Sequence, residues 1–115
     1  MVRQKIDIFY CIRKKIIFII IRQLIANKRK VRKSEIKSAI NLKTDLGMDS
    51  LEIYELAYEI MNLFHLDFID EDTLNHFRTI DDIVFYLIQE NKNVSIKSLI
   101  KILWFYNLYD IVILL

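Results

Sequence analysis

The clearest pattern in this sequence is the alternation of apolar and charged residues between positions 50 and 65. The apolar residues fall at the spacing of one helical face. They are Ile53, Leu56, Ala57, Ile60, Leu63 and Phe64. Glu52, Glu55 and Glu59 fall on the opposite side, and Tyr54, Tyr58 and Met61 lie on a flank between the two. The segment is therefore predicted to be an amphipathic helix with one buried face.

Two further helices are predicted after it. Asp70 to Asp72 open a short helix that ends at about Phe77. Thr79 is predicted to cap the second of these helices, with Asp82 in the third position after it. The stripe that follows predicts the buried face of another helix, at Ile80, Ile83, Val84, Leu87 and Ile88. That helix is predicted to end within residues 89–93.

The first 30 residues predict one helix or two abutting helices. Their apolar stripe comprises Ile6, Phe9, Tyr10, Ile16, Ile17, Ile20 and Leu24. Residues 16–21 are apolar without interruption and are followed by Arg22. Six such residues are too few for a membrane span or a signal-peptide core. We interpret the run as a helix buried on most sides.

A connector over residues 34–42 is expected to be held to the core by Ile36, Ile40 and Leu42. Residues 94–115 are apolar again, but Lys101, Asn107 and Asp110 make them a poor membrane span. The chain contains no proline, and strand-like alternation is scarce. The fold class is therefore predicted to be all-α.

The charges are distributed unevenly along the 115 residues. Residues 1–40 hold twelve Lys or Arg and two acids, residues 41–93 hold three and twelve, and residues 94–115 hold two and one. Such asymmetry predicts a charged partner for one or both parts. Residues 28–33 are the most basic cluster. They fit either a nucleic-acid or anionic-membrane patch or, as we favour, a basic helix end followed by a solvated connector.

The only glycine in the chain lies in the string Asp45-Leu46-Gly47-Met48-Asp49-Ser50-Leu51. A single glycine at this point predicts a turn that needs positive φ or close backbone approach. Asp49 or Ser50 can cap the helix that follows, with Glu52 placed to reach back to the cap. A phosphodiester on Ser50 would meet the unpaired amides and positive dipole end of that helix.

This string resembles the phosphopantetheine attachment site of acyl carrier proteins, and the resemblance covers about residues 16–92. It implies an acyl-carrier-type four-helix bundle over residues 16–93, with helical extensions at 1–15 and 94–115. It also implies a 4'-phosphopantetheine arm on Ser50 that holds acyl groups as thioesters. The chain would then be a cytoplasmic carrier with no catalytic turnover of its own.

The resemblance also implies partners. Asp49 would contact the phosphopantetheinyl transferase. Partner enzymes would read a recognition helix at Leu51, Glu52, Tyr54, Glu55, Tyr58 and Glu59, and would present basic docking patches to its glutamates. The motif is most similar to the fatty-acid and polyketide branch. Two departures, the basic first third and Met61-Asn62 in place of acidic residues, leave fatty-acid, polyketide and other specialised acyl synthesis all open.

Other chemistry has weaker support in the sequence. His65 and His76 lack metal-ligand spacing with each other or with Cys11, and both are predicted to be surface residues. No phosphate loop is possible with one glycine, and no nucleic-acid-binding motif accompanies the basic cluster. Cys11 is expected to be a small buried apolar residue. The alternative function is a carrier-like interaction or structural protein that acts through its apolar terminal helices.

The two extensions would expose an apolar patch unless something buries them. They can pack on each other and on the first helix, which we favour. They can instead form a homodimer. In the third case the C-terminal helix makes a weak contact with a membrane surface, with Trp104, Tyr106 and Tyr109 near the headgroups.

Overall fold

The computed structural model describes residues 8–90 and 95–105, and these residues form an all-helical fold. The helices are α1 (Ile8–Arg29), α2 (Ser50–Phe64), α3 (Glu71–Asn75), α4 (Ile80–Glu90) and α5 (Ile96–Phe105). A short 3-10 helix (Lys33–Glu35) lies in the connector between α1 and α2. The predicted all-α fold is confirmed, with the helices in the predicted order.

Helix α1 is the centre of the bundle. Its run from Ile16 to Ile21 is buried except for the half-buried Phe18, because α2, α4 and α5 all lie against this helix. The prediction of a helix buried on most sides is therefore confirmed, and α1 is continuous from Ile8 to Arg29.

The first turns of α1 differ from the prediction. Phe9, Tyr10 and Cys11 are exposed, although the first two belong to the predicted apolar stripe and Cys11 is predicted to be buried. The reason is that the neighbouring helices cover these first turns only in part: Ile12 packs against the core, but continuous burial within the described residues begins only at Ile16. Ile6 lies outside the described residues.

Helices α2 and α4 pack as the sequence indicates. The predicted stripe of α4 is buried throughout, and that of α2 is buried except for the half-buried Leu63. The start of α4 is closed by Thr79 and Asp82. The Asp82 amide donates to Thr79 Oγ1 at 3.2 Å, and the Thr79 amide donates to Asp82 Oδ2 at 2.9 Å. This reciprocal pair satisfies amides that a helix start leaves unpaired.

Helix α3 is shorter than predicted. Asp70 caps it by accepting the Thr73 amide at 2.7 Å, but the helix ends at Asn75 rather than near Phe77. Phe77 is instead a buried core residue whose ring meets that of Tyr86 edge to face at 5.6 Å. Because Phe77 is anchored in the core, the chain between α3 and the α4 cap at Thr79 is short and fixed.

The connector between α1 and α2 is fixed to the core as predicted. Ile36 and Leu42 are buried, and Ile40 packs against the core while half-buried. The Leu42 amide also donates to the Arg78 carbonyl at 2.8 Å. This bond ties the loop that precedes α2 to the junction between α3 and α4.

Helix α5 covers one face of α1. Ser95 opens it by accepting the Ser98 amide at 3.1 Å, and Leu99 and Leu103 are buried. Ile100, Lys101 and Trp104 are exposed, so within the described residues α5 has one buried face and one exposed face. Within the described residues no helix is long and apolar enough to cross a membrane. Tyr106 and Tyr109 lie outside those residues.

Candidate functional site

The loop before α2 is a closely bonded turn around Gly47. Asn41 Oδ1 accepts the amides of Lys43 and Thr44, both at 2.9 Å. The Gly47 amide donates to the Lys43 carbonyl at 3.0 Å. Gly47 itself has φ of 69°, a value that L side chains rarely adopt, so the predicted need for glycine is confirmed. Met48 then enters the core and fixes the end of the turn.

Asp49 is the residue that caps α2. Its Oδ1 accepts the Glu52 amide at 2.8 Å, and Glu52 Oε1 accepts the Asp49 amide at 3.1 Å. The sequence left Asp49 and Ser50 both open as the cap, and the structure assigns it to Asp49. Ser50 is the first residue of α2 and is exposed. Among the described residues no hydrogen bond engages its hydroxyl, which leaves that oxygen accessible to a reagent.

Arg29, at the end of α1, contacts both the Gly47 turn and the start of α2. One guanidinium nitrogen donates to Glu52 Oε2 at 2.7 Å. Another lies 3.5 Å from the position that a Cβ on residue 47 would occupy, which is an ordinary contact distance. Glycine is therefore required at 47 for its φ and not for lack of space. Arg29 connects the end of α1 to both the glycine turn and the cap of α2.

The ion pair and cap that Glu52 forms should make the stability of the fold depend on pH. Its pKa lies below the ordinary value of 4.5, first because the Asp49 amide donates to its carboxylate and then because Arg29 does. A carboxyl whose pKa is lowered on folding stabilises the fold above its unfolded pKa, and this stabilisation is lost as the pH falls. We expect Glu52 to contribute stability above about pH 4.5 that disappears below it.

The measurement is urea unfolding between neutral and acid pH. Glu52→Gln keeps a side chain that can complete the cap but has no charge to lose. Its free energy of unfolding should fall less on acidification than that of the wild type. The free energy of unfolding of Arg29→Met should fall by an amount between those two. An identical acid dependence in wild type and Glu52→Gln would contradict this assignment.

The outward face of α2 carries the predicted recognition residues. Leu51, Tyr54 and Tyr58 are exposed, so this face of α2 presents three large apolar side chains to the surface. The glutamates differ from one another: the side chains of Glu55 and Glu59 are 53% and 45% exposed. That of Glu52 is only 21% exposed, because Arg29 and the cap hold it.

The basic end of α1 lies against these glutamates. The Lys28 ammonium is 3.6 Å from a Glu55 oxygen and 3.5 Å from a Glu59 oxygen, and its side chain is only 16% exposed. Two residues of the basic cluster, Lys28 and Arg29, are therefore ion-paired to α2 and are not merely a solvated helix end. Sequence reasoning missed these pairs because they join residues more than twenty positions apart.

A cavity of about 240 Å³ lies beside Ser50, between the glycine loop and the segment from α3 to α4. Its lining combines cations, amides and apolar groups: Asn41, Lys43, Thr44, Ser50, Ile53, Tyr54, Leu74, Asn75, Phe77 and Arg78. Lys43 and Arg78 can attract a phosphate, and the amides of Asn41 and Asn75 can bond to a polar chain. The residues present therefore fit a phosphorylated, amide-containing arm on Ser50.

His65 and His76 are exposed, as predicted. Across residues 8–90 and 95–105, no group of three or more His, Cys, Asp or Glu residues could hold a metal ion.

Comparison with known proteins identifies a family for the domain that contains Ser50. The family described as "Phosphopantetheine attachment site" matches residues 20–87. The chain is 40% identical over 79 residues to the acyl carrier protein of Aster yellows witches'-broom phytoplasma (strain AYWB), covering 69% of this chain and 99% of that one. It is 39% identical over 64 residues to the acyl carrier protein of Amoebophilus asiaticus (strain 5a2), covering 56% and 79%.

A match over more than half of the chain identifies its class. The cofactor of this family is phosphopantetheine, and its members are carriers rather than enzymes. They work with a phosphopantetheinyl transferase and with acyl-processing enzymes. The chain belongs to the acyl carrier protein family.

Proposed function

We propose that Ser50 is the residue that carries the phosphopantetheine arm and that this chain, in the cytoplasm, presents acyl thioesters to partner enzymes of fatty-acid, polyketide or other specialised acyl synthesis. The observation that carries the proposal is the position of Ser50. Its exposed hydroxyl stands at the first residue of α2, beside a cavity with two cations, while Asp49 takes the capping role.

The residues around Ser50 support this role in separate ways. Asp49 and Glu52 fix the start of α2, so that its free amides and dipole favour an anion on Ser50. Lys43 and Arg78 are the cations that would hold the phosphate, and Tyr54 and Leu74 offer apolar surface to the rest of the arm. When bound, the arm supplies a terminal thiol that holds an acyl group as a thioester.

The exposed face of α2 is proposed as the docking surface. Asp49 is exposed next to Ser50, where the transferase must approach. Leu51, Tyr54 and Tyr58 supply apolar contacts, which more often carry binding energy than rim charges do. Glu55 and Glu59 face basic groups of partner enzymes, while Glu52, the least exposed of the three glutamates, serves mainly the cap.

The test is modification of the purified full-length chain. Incubation with a broad-specificity phosphopantetheinyl transferase and coenzyme A should add the mass of one phosphopantetheine group. Ser50→Ala should gain nothing, because the attacking hydroxyl is gone. Ser38→Ala, which removes a half-buried hydroxyl in the connector, should be modified like the wild type. No gain in the wild type, or a gain in Ser50→Ala, would overturn the proposal.

A further inference from the structure

Lys28 is held between two carboxylates of the docking surface. Glu55 and Glu59 lie one turn apart on α2, and the Lys28 ammonium reaches an oxygen of each at 3.6 and 3.5 Å. The Glu59 oxygen that it approaches is buried and has no hydrogen bond among the described residues. Lys28 is therefore the cation that compensates this carboxylate.

The position of Lys28 is set by the way α1 ends. Lys30 adopts a left-handed conformation with φ of 56°, and the Val31 amide donates back to the Ala26 carbonyl at 3.3 Å. This is a common helix stop, and it satisfies a carbonyl that the helix end would leave unpaired. Because α1 stops there, its last turn leaves Lys28 against α2 instead of in the connector.

Lys28 also borders the surface that a partner would use. A shallow open groove is lined by Lys28, Tyr54, Glu55, Tyr58 and Glu59. Both tyrosines are exposed, and the lysine is the least exposed charged side chain of the ion pairs in this groove. A basic residue of a partner that approaches Glu55 or Glu59 must therefore meet Lys28.

We propose that Lys28 is an internal counter-ion that a partner's basic residue displaces from Glu55 and Glu59 when the partner docks. The inference rests on the proposed docking role of α2. Compensated carboxylates attract a basic surface less strongly, so encounter is slower and less sensitive to salt, and Tyr54 and Tyr58 contribute a larger share of the binding. Arg29 differs, because its partner Glu52 is also engaged in the cap of α2.

The experiment measures kcat/KM for modification of the full-length chain by a broad-specificity transferase across a series of salt concentrations. Lys28→Met removes the charge and keeps an unbranched apolar stem. It should raise kcat/KM at low salt by on the order of threefold to tenfold and steepen its salt dependence. At high salt it should approach the wild type, because screening removes the difference.

Lys14→Met is the matched control, since Lys14 is an exposed lysine of the same helix and lines a groove with Asp81 and Phe85 of α4. It should leave the salt dependence close to that of the wild type. The proposal is overturned if Lys28→Met behaves like Lys14→Met or is slower than the wild type. Circular dichroism melts of the variants check that each is folded.

A second readout does not depend on Ser50. The two variants have the same formal charge, but Lys28→Met uncovers two carboxylates. On an anion-exchange column run above the chain's pI of about 8.6, it should elute at higher salt than Lys14→Met. Equal elution would contradict the counter-ion assignment. Absence of modification in the wild type and every variant would instead contradict the proposed function, and the elution result would still decide the role of Lys28.

Discussion

Leu99→Ala is expected to destabilise the protein by about 2–5 kcal/mol, the range for truncating a fully buried leucine. Leu99 lies on α5 and is completely buried. Helix α5 packs on α1, whose residues from Ile16 to Ile21 form the centre of the core. A cavity at Leu99 therefore opens next to that core, and surrounding side chains can fill it only in part.

The measurement is urea unfolding of the full-length chain. The matched control is Ile100→Ala on the same helix, because Ile100 is 42% exposed and should cost much less. Deletion of residues 95–115 should be at least as destabilising as Leu99→Ala and should expose hydrophobic surface. If Leu99→Ala and Ile100→Ala lower the free energy of unfolding by the same small amount, the packing of α5 on α1 does not stabilise the fold. A full-length chain that sediments with vesicles would then favour the membrane interpretation.

Asp49→Ala is expected to impair two properties at once. Loss of the capping oxygen should lower the free energy of unfolding by about 0.5–2 kcal/mol. Loss of the charge beside Ser50 should slow modification by the transferase by about tenfold or more, the size expected when one partner of a close charge pair is removed. Both effects follow from the position of Asp49 directly before Ser50.

Asp49→Asn separates these two effects. Asparagine is as good a helix cap as aspartate, so the variant should melt close to the wild type. It lacks the charge, so its modification should be slow, like that of Asp49→Ala. Equal modification rates for Asp49→Asn and wild type would show that Asp49 serves the cap alone and would remove it from the transferase contact.

Much of this architecture follows from local sequence. The helical stripe from Ile53 to Phe64, the cap at Thr79 and the turn at Gly47 each depend on residues close together in the chain. Local hydrogen bonds and side-chain periodicity act over those distances, so the pattern specifies them. The all-round apolar run from Ile16 to Ile21 also indicated correctly that several elements surround α1.

The ion pairs beside the proposed docking surface could not be predicted from local sequence. Arg29 meets Glu52, and Lys28 meets Glu55 and Glu59, across 23 to 31 positions of sequence. Their contact depends on how α1 ends and how α2 crosses it, which no local pattern encodes. The charge asymmetry of the chain predicted a charged partner, and within the described residues part of that partner is the chain's own α2.

The exposure of Cys11 shows the same limit. A small apolar residue on a helical stripe is usually buried. Whether it is buried depends on how fully the neighbouring helices cover α1, and they cover its first turns only in part.

The most direct test of the central claim is the mass of the full-length chain after co-expression with a phosphopantetheinyl transferase, followed by fragmentation of its peptides. We predict one added phosphopantetheine group, located on Ser50 and on no other hydroxyl residue. An unmodified chain, or a group located on a residue other than Ser50, would contradict the account.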